Sequence, residues 1–242
     1  AYVPFVNTVD VEQCLKCWKA PAEGEASVIF VHGGIGVVGI AANYVRKLPP
    51  GIGLYAVQAP EHHPEGSYDW APTPKQRAER YLSVLKKHVP NGGVFIGYSF
   101  AGNICFEIAL LVQENQEDEY PFEFFLLEPV PPTVPTRSSG ESLLQHHARF
   151  VDKIMAEELI PAVFERMMEF IYNLKLALPT GTYRGDVDYV MILPDGWKHY
   201  DLYWSYRGSL EDPWRQFIDG HLKVHRTIKG NHFQAFDTDE NM

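Results

Sequence analysis

Ser99 stands in Gly97-Tyr98-Ser99-Phe100-Ala101, where the apolar run Val94 to Tyr98 meets the apolar stretch Phe100 to Val112. A serine held in a sharp turn between a strand and a helix has its hydroxyl pushed out of the sheet. So placed, it becomes a nucleophile for acyl transfer once a base takes its proton. Such a turn needs small residues two positions before and two after the serine, so that neighbouring backbone can come close. Gly97 fills the first place, and Ala101, followed by Gly102, fills the second. The plainer alternative is an ordinary strand-to-helix turn whose serine only caps the helix.

Acyl transfer passes through a tetrahedral oxyanion, which two N–H donors must hold, each worth about 3 kcal/mol in the transition state. One donor is the amide of the residue after the nucleophile, Phe100. The other is expected in His32-Gly33-Gly34, at the end of an earlier apolar run, with the Gly34 amide as the donor. The sequence leaves open which amide of this loop points inward, and a plain Gly-rich turn would read the same.

The base is expected at His232, in Gly230-Asn231-His232-Phe233, because it follows the last apolar run and so can return over the serine. The chain has ten histidines. His62, His63, His146, His147 and His199 fall in loops or an insertion and read as solvated. His88 ends a helix, where it complements the dipole. His221 and His225 share one face of a strand but lack a third ligand for a metal. A carboxylate must then fix the imidazole tautomer. Glu128, which ends the run Phe122 to Leu127, is favoured; Asp195, in Leu193-Pro194-Asp195-Gly196, is the alternative acid, although P-D-G is also strong turn chemistry.

The elements that must position these groups alternate along the chain. Strands are expected at Ala26 to Val31, Ile52 to Gln58, Val94 to Tyr98, Phe122 to Leu127, Asp188 to Leu193 and His221 to Ile228. Helices are expected at Lys75 to His88, Phe100 to Val112 and Pro213 to Ile218. This alternation predicts an α/β fold with a mostly parallel central sheet, helices on both faces, and chemistry at the carboxyl ends of the strands. Between about 131 and 184 the alternation breaks, and apolar residues recur at helical spacing from Leu143 to Leu174, which predicts a helical lid insertion. With 242 residues the chain is expected to be one domain, 1–242, carrying this insertion.

Composition excludes several function classes. A net charge of −10 leaves no basic stripe for nucleic acid. No apolar run nears the roughly 20 residues that span a bilayer, and residues 1–10 lack the layout of a signal peptide, so a cytoplasmic protein with no membrane partner is expected. Three cysteines cannot build a disulfide framework. Cys14 and Cys17 form a CxxC with no second pair at zinc spacing, so neither metal nor cofactor is expected. The chain starts without Met and ends shortly after His232, as expected of a domain from a longer polypeptide.

From His32 to Phe236 the chain resembles the thioesterase domains that end animal fatty acid synthases and polyketide or non-ribosomal peptide synthases, within the α/β-hydrolase superfamily. The resemblance is carried by His32-Gly33-Gly34, Gly97-Tyr98-Ser99-Phe100, Phe124-Phe125-Leu126-Leu127-Glu128 and Gly230-Asn231-His232. The family usually has Asp where this chain has Glu128, which is longer by one C–C bond of about 1.5 Å. The resemblance implies that Ser99 takes an acyl or polyketide chain from the phosphopantetheine arm of an acyl carrier protein, in the same multidomain polypeptide. Release would follow by hydrolysis or cyclisation, and the helical insertion would form the substrate chamber. Two other readings remain at this point: another serine α/β-hydrolase, such as a carboxylesterase or lipase, and a non-catalytic protein of the same fold that binds a ligand.

Overall fold

The computed structural model describes residues 11–34, 36–60, 73–115, 120–127, 129, 132, 178–193 and 212–229. Its strands are β1 (Leu15–Lys19), β2 (Ser27–Val31), β3 (Gly53–Val57), β4 (Gly93–Tyr98), β5 (Phe122–Leu127), β6 (Val187–Leu193) and β7 (Leu222–Lys229). They form one sheet in the order β1-β3-β2-β4-β5-β6-β7, parallel throughout except for the antiparallel edge strand β1. The expected mostly parallel α/β sheet is therefore present.

Strand alternation divides the sheet's side chains between two cores. Ile29, Val31, Phe95, Phe124 and Leu126 point to one side and Phe30, Ile96 and Leu127 to the other, as period-2 side chains must when both faces are covered. The first face is covered by helices α1 (Pro74–His88) and α2 (Ala101–Glu114), and also receives the fully buried Trp214, whose ring lies 5.4 Å from that of Phe106. The second face is covered by Val38, Ala41 and the partly buried Tyr44 around the 3₁₀ helix Gly39–Arg46, which the sequence reading did not anticipate.

Helix α1 begins with a capping box. The Thr73 hydroxyl accepts from the Gln76 amide at 3.3 Å, the Gln76 side chain accepts from the Thr73 amide at 3.1 Å, and Pro74 occupies the first turn. Its apolar face buries Ala78, Tyr81, Leu82 and Leu85, together with Arg77. Helix α2 is buried on every side over its first ten residues, as its nearly uniform apolar sequence requires.

Order along the chain explains where the loops meet. The chain passes from β2 outward to β3, then returns across the sheet so that β4 pairs with the other side of β2. The loops that leave the carboxyl ends of β2 and β4 thus lie side by side at the point where strand order reverses, the usual place for a site in an open parallel sheet.

The stretch Pro213 to Ile218, expected as a helix, is a single turn, Asp212–Arg215. Ile218 instead forms an isolated parallel bridge with Tyr183, closed by Tyr183 N–H donating to Phe217 O and Asp219 N–H donating to Tyr183 O, both at 2.8 Å. Backbone pairing to the segment entering β6 outweighs the weak helical tendency of so short a run. Leu178 to Arg184, the end of the expected insertion, is irregular and tied to α2, and residues 133–177 lie outside the described residues.

Candidate active site

Ser99 is the only described non-glycine residue with positive φ, at 55°. For an L-residue the left-handed region costs about 1–2 kcal/mol, so the surrounding structure must impose it. Two backbone bonds do so: Ser99 N–H donates to Leu127 O at 3.2 Å, extending the β4–β5 ladder, and Gly102 N–H donates to Ser99 O at 3.1 Å, starting α2. The chain turns from strand to helix within Ser99 and Phe100, as the elbow reading expects. Phe100 stands at the N-terminal cap of α2 and makes no side-chain capping bond.

The small residues that let strand and helix close up are Gly97 and Gly102, not Gly97 and Ala101. A Cβ on Gly97 would stand 3.0 Å from Gly102 Cα, and one on Gly102 would meet Pro129 Cβ at 2.4 Å. Ala101 itself is fully buried at the start of α2.

The β2–β4 register pairs Phe30 with Ile96, which carries Gly33 alongside Ser99. A Cβ on Gly33 would lie 3.7 Å from Ser99 Cβ, and one on Gly34 would lie 3.8 Å from Phe100 Cβ. Both are ordinary van der Waals distances, so these two glycines are not demanded by crowding from the elbow. The positive φ in this loop belongs to Gly36, at 76°, whose N–H donates to Gly33 O at 3.0 Å to close the turn. Among the described residues, no backbone carbonyl accepts from the amide of Gly34 or Phe100. Two backbone donors without a backbone acceptor among the described residues thus lie beside Ser99.

His32, which the sequence singled out only as part of a Gly-rich loop, is fully buried. Its Nδ1 lies 3.0 Å from Gly33 O and its Nε2 2.8 Å from the Tyr81 hydroxyl, to which Arg77 Nη1 donates at 3.4 Å. Arg77 and Tyr81 were missed as site-supporting residues. The available signal was a lone arginine within the apolar stripe Ala78, Tyr81, Leu82, Leu85, where a charge must have a partner.

His232, Glu128 and Asp195 lie outside the described residues, as do His62, His63, His146, His147 and His199. The remaining histidines are paired elsewhere. His221 Nδ1 lies 3.1 Å from Asp186, and His225 Nε2 lies 2.7 Å from Asp188. The Asp186 carboxyl, which also accepts from the His221 backbone amide and approaches Lys223, is held down at about 2. His88, at the last turn of α1, lies 3.3 Å from Glu12. Cys14 is buried, whereas Cys17 is exposed on β1. Burial pushes the Cys105 thiol upward, so this thiol, inside α2, is no nucleophile at neutral pH. Among the described residues no cluster of three or more potential ligands could hold a metal ion.

A parallel sheet, a left-handed serine between strand and helix, and a neighbouring loop with a free amide define a serine hydrolase of the α/β-hydrolase fold. Within that class the chain belongs to the Thioesterase domain family, whose model matches residues 26–241. It is a hydrolase acting on thioesters and releases acyl chains, which decides against the carboxylesterase or lipase reading and the non-catalytic one. No curated protein matches the chain at the level of sequence.

Solved structures share the fold. The NocB thioesterase domain, in covalent complex with a fluorophosphonate nocardicin G analog, matches with TM-score 0.67 and 20% identity over 94% of this chain and 93% of that one. The type II thioesterase BorB from the borrelidin biosynthetic cluster matches with TM-score 0.65 and 16% identity over 94% and 93%. Holo-AB3403, a four domain nonribosomal peptide synthetase, matches with TM-score 0.64 and 16% identity over 94% of this chain and 19% of that one. Among the described residues no helix is long and apolar enough to cross a membrane.

Proposed function

We propose that the chain releases an acyl or polyketide chain from the phosphopantetheine arm of an acyl carrier protein through an acyl-serine intermediate. The observation that carries this reading is the left-handed Ser99 between β4 and α2, beside the free amides of Gly34 and Phe100. Ser99 Oγ attacks the thioester carbonyl carbon as His232 takes its proton. The carbonyl π electrons move onto oxygen, held by the two amides. Collapse of this intermediate breaks the C–S bond, and the thiol leaves with the proton from His232. Water, or a hydroxyl or amine of the acyl chain itself, then attacks the acyl-serine to give a free acid or a ring.

Glu128 orients the imidazole, with Asp195 as the alternative acid. Support for these three roles is the chain order Ser99, Glu128, Asp195, His232 inside the family match over 26–241. The chain works in the cytoplasm without a dissociable cofactor or metal, beside its carrier protein in one multidomain synthase for polyketides, peptides or fatty acids. The match to one segment of a four domain synthetase supports that context.

The test is incubation with an acyl-loaded carrier protein, followed by intact and peptide mass spectrometry. An acyl adduct on the Ser99 peptide, followed by release, supports the reading. Labelling of Ser99 by a fluorophosphonate without any adduct from carrier-bound thioester would remove the carrier protein from it. Comparing Glu128→Ala with Asp195→Ala decides the acid, since only the true one lowers release by orders of magnitude.

A further inference from the structure

We infer that His32 is a positioning residue for the oxyanion hole, acting at the end of a buried hydrogen-bond chain that begins on α1 and fixes the peptide plane carrying the Gly34 amide. The inference rests on the assignment of Ser99 and the Gly34 donor given above.

The direction of the chain follows from what each atom can do. The Gly33 carbonyl oxygen only accepts, so the His32 Nδ1 that faces it at 3.0 Å carries the proton. In the neutral ring Nε2 is then an acceptor, and the Tyr81 hydroxyl at 2.8 Å donates to it. The Tyr81 oxygen in turn accepts from Arg77 Nη1 at 3.4 Å, one helical turn earlier on α1. Arg77, Tyr81 and His32 are all buried, so the bonds lie out of competition with water.

The last member of the chain acts on geometry. The Gly33 carbonyl and the Gly34 N–H belong to one rigid trans peptide unit and point from opposite edges of its plane. The carbonyl is held twice, by His32 Nδ1–H and by the Gly36 amide at 3.0 Å. Held so, the unit can turn only by breaking both bonds, and the Gly34 N–H stays directed away from His32 and free of backbone partners. The Gly36 bond alone would hold the unit at a single point on the turn, and the bond from His32 Nδ1–H, made out of competition with water, adds the second hold. His32 thus does for the hole what glycine permissiveness cannot, since neither Gly33 nor Gly34 has a positive φ.

The variants that separate this role from simple packing are His32→Asn, whose amide NH₂ can replace the Nδ1 donor, His32→Gln, whose amide reaches toward the Nε2 position, and Tyr81→Phe. Each is assayed with an octanoyl N-acetylcysteamine thioester, alongside binding of an alkylboronic acid that forms a tetrahedral adduct on Ser99. His32→Gln is expected to lose 10²–10³-fold in kcat with KM nearly unchanged, the loss seen when one oxyanion donor is removed, and to lose boronate affinity in parallel. His32→Asn should recover at least tenfold of that loss. Tyr81→Phe should fall between the parent and His32→Gln. A folded His32→Gln with parental kcat, an equal loss in His32→Asn and His32→Gln, or a loss confined to KM would each overturn the proposal. If the Gln variant does not fold, the proposal stands or falls on whether Tyr81→Phe lowers kcat and boronate affinity together. An unsubstituted protein that neither turns over the thioester nor labels at Ser99 would instead overturn the reading of the site itself.

Discussion

Gly97 and Gly102 face each other across the turn that carries Ser99, so close that a methyl group on Gly97 would stand 3.0 Å from the Gly102 Cα. Backbone lies against backbone at this point, and neither side can retreat without moving the serine. Gly97→Ala and Gly102→Ala are each expected to cost about 1–3 kcal/mol in urea unfolding, by overpacking, and to lower thioester turnover. Ala101→Gly, which restores a glycine two positions after the serine, should cost about 1 kcal/mol and bring no gain in kcat. A rise in kcat would show that Ala101 compromises the turn.

The left-handed Ser99 predicts a separation of stability from activity. Ser99→Ala and Ser99→Gly should both abolish acyl-serine formation, but glycine adopts φ 55° without strain and alanine does not. The glycine variant is expected to be about 1 kcal/mol more stable than the alanine variant. Thermal melts of the two proteins check this, and equal midpoints would argue against strain at the elbow.

Glu107 on α2 is 3% exposed, and its carboxylate accepts from the Thr180 amide at 2.8 Å and the Thr180 hydroxyl at 2.7 Å. Burial raises its pKa above the ordinary 4.5 despite these two bonds. The folded state therefore holds a proton that the unfolded chain releases first. The resulting stabilisation is full below pH 4.5 and is lost as pH rises through the folded value. Glu107→Gln, which can keep both contacts to Thr180, should remove this decline and be at least as stable as the parent at pH 8. A parental slope in the Gln variant between pH 4.5 and 7 would assign the decline to other groups.

The capping box at the start of α1 yields a smaller effect. Thr73→Ala removes the hydroxyl that accepts from the Gln76 amide and is expected to cost about 1 kcal/mol. Thr73→Ser should restore most of it, as measured by denaturant titration.

The parts of the fold legible in the sequence were those where burial imposes a pattern. β2, β4 and β5 are short apolar runs because both their faces are covered, and α2 reads as a buried helix for the same reason. β1 escaped notice because Leu15-Lys16-Cys17-Trp18-Lys19 is an exposed edge strand held mainly by backbone pairing to β3, which leaves no mark on residue type. The 3₁₀ helix Gly39–Arg46 is likewise fixed by tertiary contact on the second core, through Val38 and Ala41.

At the site, the sharp turn at Ser99 and the loop beside it were legible because such a turn and so close an approach call for small residues at short spacing. The contribution of Arg77 and Tyr81 was not, since their meeting with His32 depends on how α1 packs beside the end of β2, about 45 residues earlier in the chain. Sequence spacing cannot report such a contact.

Helix α2 also determines how freely the chain can be edited between Pro129 and Thr180. Pro129 lies against Gly102, and Thr180 is gripped by Glu107, while Gln113 donates to Thr182 O at 3.0 Å and accepts from the Arg184 amide at 2.7 Å. Gly102 and Glu107 are five residues apart, about 7.5 Å along the helix axis. Pro129 and Thr180, some fifty residues apart in the chain, are thus held at two neighbouring points on the helix that follows Ser99. Closing such a loop costs only about 0.6 kcal/mol more for each doubling of its length. With both described ends anchored on α2, a change in the length of chain between them is expected to leave Ser99 in place.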